Sequence, residues 1–106
     1  MSMNAVQMAH VRRGAMRWHL IAAINLSRPQ GMYTEGLLPI IQSVYPDATH
    51  HEVRRELDYL GERELVRITR DPLDRWMVEL MRYGIDVAEY AVECDPGISR
   101  PRMTQD

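Results

Sequence analysis

The sequence has no lysine and only one cysteine, Cys94, among its 106 residues. A single thiol cannot form an intramolecular disulfide, and without a Cys-x-x-Cys pair the four histidines do not indicate a structural zinc site. No apolar run approaches the ~18 residues that a membrane-spanning helix needs. These absences argue against a disulfide-rich secreted domain, a zinc-dependent fold and a membrane protein, and they predict a cytoplasmic location.

The remaining composition is that of one small globular domain. Apolar residues make up 45% of the chain and charged residues 26%, close to the average of soluble proteins. The apolar run 20–24 follows three arginines, as in a secretory signal, but no small-residue cleavage site comes after it, so export is not expected. We expect a single domain over residues 1–93 and a flexible tail over residues 94–106.

All thirteen cationic residues are arginine, and the formal net charge is -2, which argues weakly against a general nucleic-acid binder. The charges are uneven, because residues 1–33 hold four arginines and no acid, whereas residues 34–62 hold six acids and two arginines. A guanidinium binds phosphates, carboxylates and guanine edges as a fork, although codon composition alone also explains the lack of lysine. The charges therefore leave the class of partner open.

The first half of the chain is predicted to form two helices joined by a short turn. Apolar residues at spacings of three and four over residues 4–26 indicate a long helix, which ends at a proline and a glycine. Residues 32–33 fit a very short extended piece. A second helix is expected over residues 34–45 with Thr34 as its N-cap, and Pro39 should kink it or make its start irregular.

A third helix is predicted over residues 48–62. Thr49 and Glu52 match a capping box, in which the threonine side chain caps the helix and the glutamate reaches back to the cap. Apolar residues then recur at i, i+4 and i+7, which is the pattern of a helix with one buried side. The residues expected to face inward are Val53, Leu57 and Leu60.

The side-chain period then changes from helical to two. Residues 65–70 and 75–80 both alternate, and turn-forming residues separate them, which predicts a β-hairpin with its tip at residues 72–74. Pairing Ile68 with Val78 aligns the apolar side chains on one face and creates opposite-charge pairs on the other. A slip of one residue loses the apolar alignment and the opposite-charge pairs, so this register is expected. The opposite-charge pairs are Arg67 with Glu79 and Asp71 with Arg75.

A last helix is predicted over residues 83–93, with Val87, Tyr90 and Ala91 on its buried side. The fold class is therefore mostly α with a small β-hairpin. In this order of elements the chain resembles the winged helix-turn-helix family over residues 16–91. The resemblance implies a three-helix core, a two-stranded wing and a C-terminal helix.

Two stretches carry this resemblance. The apolar residues of the third helix lead through Leu65 and Val66 into the first wing strand at the family's spacing, although Glu64 stands where the family usually has glycine. After the wing, Leu80 and Gly84 keep the spacing of the family's Leu-Thr-x-x-Gly motif and lack its threonine. These motifs identify a fold more specifically than a function.

The winged-helix resemblance implies binding to double-stranded DNA. In that family the third helix enters the major groove and the wing contacts the backbone. We therefore expect a sequence-specific DNA-binding protein, a small transcriptional regulator of phage or bacterial origin, that uses helix 48–62 and wing 65–80. A weaker resemblance of residues 45–49 and 94–98 to small proteins of Mu-like phages implies a phage setting and no biochemical role.

The candidate DNA contacts lie on the outer side of the third helix and on the wing. Arg55 points outward and is expected to contact guanine through two hydrogen bonds. Thr49 and Arg54 are placed to bind phosphate, and the arginines of the wing are candidates for phosphate or minor-groove contacts. The candidate DNA-binding residues are Thr49, His51, Arg54, Arg55, Arg67, Arg70 and Arg75.

The same residues permit a second interpretation without DNA. Arg55 lies three residues from Asp58 and is able to pair with it, while Asp58 and Glu62 would repel phosphates if the helix lay flat in the groove. Arg70 is placed to stack over Trp76. The alternative function is therefore a winged-helix module for protein interaction or dimerisation.

The two terminal helices carry opposite charges. Arg13 and Arg17 share a face of the first helix, and Asp86, Glu89 and Glu93 share a face of the last. These faces are able to pack within one chain or across a two-fold axis. We expect a homodimer through the N-terminal and C-terminal helices.

No residue pattern indicates an enzyme. His50 and His51 are adjacent, so on a helix they point about 100° apart and do not readily share a metal ion. Cys94 lies between Glu93 and Asp95, which disfavour its thiolate. The chain has no phosphate loop and no nucleophile elbow, so neither catalysis nor a cofactor or metal site is predicted.

Overall fold

The computed structural model describes residues 2–103. Within them the chain forms four helices and one antiparallel sheet of three strands, in the order β1-β3-β2. This is the winged-helix arrangement that the sequence predicts. The elements are α1 (Ala5–Ser27), β1 (Met32–Tyr33), α2 (Thr34–Gln42), α3 (His50–Glu62), β2 (Val66–Arg70), β3 (Trp76–Leu80) and α4 (Arg82–Ala88).

The second helix differs from its prediction at both ends. Tyr33 is the N-cap, and Thr34 is already helical and fully buried, so it does not cap the helix as expected. Pro39 lies inside α2, which continues for only three residues beyond it and ends before the predicted Tyr45. A proline inside a helix removes one backbone hydrogen bond, and a nine-residue helix has few others with which to continue.

Helices α1, α2 and α3 pack around one apolar core. The inward side of α3 is fully buried, as the helical spacing predicts, and faces α1 and α2. Side chains of the sheet close the core from the other side. The buried apolar side chains include Met16, Leu20, Ile21, Ile24, Leu37, Ile41, Val53, Leu57, Leu60, Leu65, Trp76 and Val78.

The hairpin has the predicted register. Ile68 pairs with Val78, and the neighbouring pairs follow from it along both strands. The sequence did not identify the partner of residues 32–33, which pair with β3 as a third strand. The short strand between α1 and α2 therefore ties this part of the core to the wing by backbone hydrogen bonds as well as by packing.

The connection from α3 through the wing to α4 explains the family's glycine positions. Glu64 has a φ of 65°, the left-handed conformation that glycine adopts freely and that costs other residues about 1 kcal/mol. The carbonyl oxygen of Leu65 accepts a hydrogen bond from the Met81 N–H at 2.9 Å. Gly84 lies directly against that carbonyl, so the start of α4 can pack closely beside the first wing strand.

The last helix is shorter than predicted. It ends at Ala88 instead of residue 93, and Ala91 is exposed, so the predicted burial of Ala91 is wrong. The chain turns away at Tyr90, whose φ is 62°, while its ring packs edge-on against Trp18 at 6.0 Å. The Tyr90 side chain also contacts Arg100 and Pro101, so these contacts replace the predicted continuation of the helix.

The chain after α4 also differs from the expected flexible tail. Ile98 is buried in the core, and the Ser99 N–H donates to the Gly14 carbonyl oxygen at 3.1 Å. Arg17 donates from Nη1 to the Gly97 carbonyl oxygen at 2.9 Å. Residues 94–101 therefore belong to the packed domain, whereas residues 104–106 lie outside the described part of the chain.

The close approach at Gly84 predicts a strong effect of one methyl group. A Cβ at this position would collide with the Leu65 carbonyl oxygen, so Gly84→Ala should lower the free energy of unfolding by about 2 kcal/mol or more. The matched control is Gly36→Ala, because a Cβ there meets only the Met32 Cε at 3.6 Å. Gly36→Ala should raise stability by up to about 1 kcal/mol through helix propensity. Equal effects in urea unfolding would contradict this account.

Candidate nucleic-acid interface

The third helix begins as predicted but uses only half of the capping box. The Thr49 side chain accepts a hydrogen bond from the Glu52 N–H at 3.1 Å. The Glu52 carboxylate does not return to the cap and instead pairs with Arg12, at 2.8 Å from Nε and 2.9 Å from Nη2. Thr49 and His51 are exposed at this end of α3. The first turn of the helix is therefore open to a ligand.

Three residues join α3 to the wing. The guanidinium carbon of Arg54 lies 4.7 Å from the centre of the Trp76 ring, and that of Arg70 lies 4.6 Å from it. Arg54 also donates from Nη2 to the Asp74 carbonyl oxygen at 2.8 Å. The two cations thus converge on one buried indole, and Arg54 reaches from the helix to the tip of the wing.

The tip of the wing is held by one carboxylate. Asp71 accepts hydrogen bonds from the N–H groups of Leu73 and Arg75, each at 2.9 Å, and from the Arg75 Nε at 2.7 Å. The Arg75 N–H bond contributes most to lowering the pKa of Asp71, and in return Asp71 raises the pKa of the Arg75 guanidinium. That guanidinium also lies 4.8 Å from the centre of the Tyr33 ring. Arg75 is therefore fixed in place before any ligand arrives.

Arg55 lies on a different side of α3 from Arg54. Its Nε is 3.2 Å from the Glu56 Oε2, so its acidic partner is Glu56 and not Asp58. Glu56 is only 1% exposed and also accepts from the Arg17 Nε at 2.8 Å. The Arg55 side chain remains 55% exposed. The Arg55 guanidinium is therefore bound to Glu56 through Nε, and the rest of the group is accessible to a ligand.

Arg67 stands apart from the other wing arginines. Its Nη2 lies 2.8 Å from the Glu79 Oε2, which is the cross-strand pair that the register predicts. Side chains alternate along a strand, so Arg67 and Arg70 project from opposite faces of the ribbon. The structure therefore brings Arg54 and Arg70 together at the Trp76 ring. Arg55, Arg67 and Arg75 have separate contacts, with Glu56, Glu79 and Tyr33.

Sequence reasoning missed a second cationic cluster around Tyr59. The guanidinium carbons of Arg17 and Arg63 lie 3.5 and 3.6 Å from its ring centre. Its hydroxyl donates to Asp95 at 2.8 Å. Burial raises the pKa of Tyr59, and the bond to Asp95 raises it further. In the sequence, Arg63 four residues after Tyr59 and Arg17 on α1 gave only a weak signal of this cluster. The carboxylate of Asp95 gave none, because it comes from a segment that was expected to be a tail.

Other kinds of site find little support in residues 2–103. No helix there is long and apolar enough to cross a membrane. No group of three or more His, Cys, Asp or Glu side chains in that range is placed to hold a metal ion. Burial raises the pKa of the Cys94 thiol, and the Asp95 charge adds to this shift, so the reactive thiolate is disfavoured.

The wing tip predicts an unusually acidic Asp71. Because its folded pKa is lowered, the stabilisation that it gives to the tip is present above the unfolded value of about 3.9 and is lost as pH falls through the folded pKa. In an NMR titration the Asp71 carboxyl should titrate below that unfolded value, together with the amides of Leu73 and Arg75. The variant Asp71→Asn should abolish the shared transition. An Asp71 that titrates at an ordinary pH would contradict the geometry.

Comparisons with known proteins bear on the fold. No family model matches this chain, and no curated protein matches it. Among solved structures it is similar to the crystal structure of MepR, a transcription regulator of the Staphylococcus aureus multidrug efflux pump MepA. The sequence identity is 15% and the TM-score 0.60, over 80% of this chain and 68% of that chain. The likeness shows a winged-helix fold and gives no support to the resemblance to Mu-like phage proteins.

Proposed function

We propose that this chain is a transcription regulator that binds double-stranded DNA, with the first turns of α3 in the major groove and the wing against the backbone. The observation that carries the proposal is the joint at Trp76. It holds Arg54 of the helix and Arg70 of the wing against one ring, so the two elements present cations at a fixed spacing. The winged-helix fold shared with MepR, a transcription regulator, supports the same function.

The distribution of acids on α3 sets the direction of approach. Thr49, His51 and Arg54 lie in its first turns, whereas Asp58 and Glu62 lie in its later turns and are exposed. Carboxylates close to DNA phosphates would be repelled, so the helix must enter the groove with its N-terminal end first. The unsatisfied N–H groups of that end also favour an anion.

The arginines differ in how readily they can exchange their present contacts for DNA. Arg67 and Arg75 would have to give up carboxylates on the wing, and Arg55 would have to turn from Glu56 toward a base. Arg70 has no ion pair within the described residues, and its contact is the Trp76 ring. Arg70 therefore offers its full charge to a phosphate.

Counterion release gives a direct test of the phosphate contacts. Binding of the full chain to random duplex DNA should weaken steeply with salt, and Arg70→Ala should reduce the slope of log K against log salt by about one. Arg82→Ala is the matched control, since Arg82 is exposed at the start of α4, pairs with Asp86 and lies at the far end of the ribbon from the wing tip. Its slope should equal that of the wild type. An unchanged slope for Arg70→Ala would remove Arg70 from the interface.

A base-specific role for Arg55 predicts a different signature. Selection of preferred duplexes should return a site for the wild type, and Arg55→Ala should lose discrimination at one position of that site, by about 1–3 kcal/mol. Its affinity for random DNA should change far less. Arg63→Ala serves as a control, because Arg63 stacks on Tyr59 near the C-terminal end of α3. If both variants select the same site as the wild type, Arg55 does not contact a base.

A second candidate function is protein interaction without DNA. The observation that favours it is the exposed apolar surface along α1, which a DNA-binding role does not use. The salt dependence separates the two functions, because a chain without phosphate contacts shows no binding to random duplexes at low salt.

A further inference from the structure

Glu56 is a buried carboxylate that the proposed function does not use. Its side chain is only 1% exposed, and two arginines share it. The Arg17 Nε on α1 donates to Oε1 at 2.8 Å, and the Arg55 Nε on α3 itself lies 3.2 Å from Oε2. A carboxylate removed from water is tolerated only when cations or hydrogen-bond donors compensate its charge. These two guanidinium groups therefore keep the carboxylate of Glu56 inside the domain.

The two arginines are held to different degrees. Arg17 is 13% exposed, its Nη1 donates to the Gly97 carbonyl oxygen at 2.9 Å, and its guanidinium carbon lies 3.5 Å from the centre of the Tyr59 ring. Arg55 is 55% exposed, and within the described residues its side chain binds Glu56 alone. Arg17 is therefore the fixed partner of the carboxylate, and Arg55 is the partner that can be exchanged.

We infer that Arg17 is a positioning residue for DNA recognition, because it holds Glu56 while Arg55 leaves that carboxylate for a guanine. This role rests on the proposed function, in which Arg55 contacts a base. If Arg55 were the sole cation on Glu56, its departure would leave a buried charge without a partner, which is strongly unfavourable. With Arg17 in place, the charge stays compensated in both states. Arg17 thereby lowers the free energy needed to move Arg55 from its own chain to DNA, although it is itself largely buried.

Residues 94–101 complete this arrangement from the far end of the chain. The Gly97 carbonyl oxygen in this segment accepts the hydrogen bond from Arg17. A Cβ at Gly97 would collide with the Tyr59 hydroxyl, so the segment lies directly against the ring on which Arg17 stacks. A continuous set of contacts thus leads from this segment to the buried carboxylate and its exchangeable partner. The availability of a proposed base-reading side chain is therefore set in part by residues outside the helix and the wing.

The surroundings of the buried carboxylate call for a control that changes charge alone. A cavity of about 240 Å³ beside it is lined by acidic and basic side chains, including Asp58 and Arg13. Removing any cation from this lining changes the electrostatic field at Arg55. Arg13 lies one turn before Arg17 on α1, and its side chain contacts the His10 Nδ1 at 3.3 Å. Arg13→Gln therefore removes the same charge from the same cavity and leaves the contacts of the carboxylate in place.

Hydrogen exchange of the guanidinium groups tests the contact without DNA. In NMR spectra of the full chain, the Arg17 Nε–H should exchange slowly with solvent and the Arg55 Nε–H faster. Arg17→Gln should slow the exchange of the Arg55 Nε–H severalfold, because Arg55 becomes the sole cation on Glu56. Arg13→Gln should leave that rate unchanged. An Arg55 rate that Arg17→Gln leaves unchanged or raises would overturn the inference.

Glu56→Gln gives a second measurement that does not depend on how Arg17→Gln folds. It keeps the shape of the side chain and removes its charge, so the Arg55 Nε–H should exchange severalfold faster than in the wild type. In this background Arg17→Gln should have no further effect on Arg55, since Arg17 acts through the carboxylate alone. An Arg55 rate that Glu56→Gln leaves unchanged would also overturn the inference.

Duplex selection tests the role in recognition. Arg17→Gln should lose about fivefold or more of the preference at the base position that Arg55→Ala also loses. Its salt slope should stay that of the wild type, because no phosphate contact is removed. Adding Glu56→Gln should restore the preference, since no buried carboxylate then holds Arg55. A loss that Glu56→Gln does not restore, or an equal loss in Arg13→Gln, would show a merely structural effect and overturn the inference.

Binding of the wild type separates this role from the proposed function. A wild type that binds no duplex at low salt overturns the proposed function together with the role of Arg17 in it. A wild type that binds, with an Arg17→Gln chain that selects the same site with the same preference, overturns the role of Arg17 alone.

Discussion

The contact of Trp76 with two guanidinium groups fixes the wing relative to α3. The indole is buried at the start of β3, and Arg54 and Arg70 approach it from the helix and from the neighbouring strand. Each such contact contributes about 0.5–2 kcal/mol, depending on how far it is removed from water. The bonds of Arg54 to Asp74 and the packing of Val66 and Ile68 against the core also hold the wing to α3. The spacing of the proposed DNA-binding surface depends on this ring.

The arginines of this protein are mostly used within the chain. Arg12, Arg17 and Arg67 each hold a carboxylate at 2.8 Å, and others stack on aromatic rings. An exposed pair such as Arg67 with Glu79 adds little stability, typically below about 1 kcal/mol, whereas Arg17 and Glu56 form a buried pair. Exposed pairs matter more for specificity, because a phosphate has to displace an existing acidic partner. Binding to any polyanion is thereby weakened relative to binding at a site that offers several contacts at once.

The parts of the fold that the sequence predicted were those decided by neighbours in the chain. The register of the hairpin follows from side-chain pairs that are close in sequence, and the inward side of α3 follows from its own spacing. Two of the errors arose where a distant residue takes part. Beyond the end of α4 the Tyr90 ring packs against Trp18, and Glu52 leaves its capping position because Arg12 binds it.

The candidate site shows the same division. That Arg70 stacks on Trp76 and that Arg67 pairs with Glu79 followed from the strand register. The contact of Arg54 with the wing tip did not follow from the register, because its partner Asp74 lies twenty residues away in the hairpin turn. Which of these side chains contact DNA remains a prediction, since a contact with a ligand leaves no periodic signal in a sequence.

The packing of residues 94–101 has a consequence for the order of events during synthesis. Helix α1 is synthesised before the other elements, and it receives its contacts at Gly14 and Arg17 from residues 97–99, including a hydrogen bond that spans 80 positions. A chain that is still being translated cannot close this contact before those residues have left the ribosome. The helices and the sheet are therefore complete in the chain before the segment that finishes the packing of α1 becomes available.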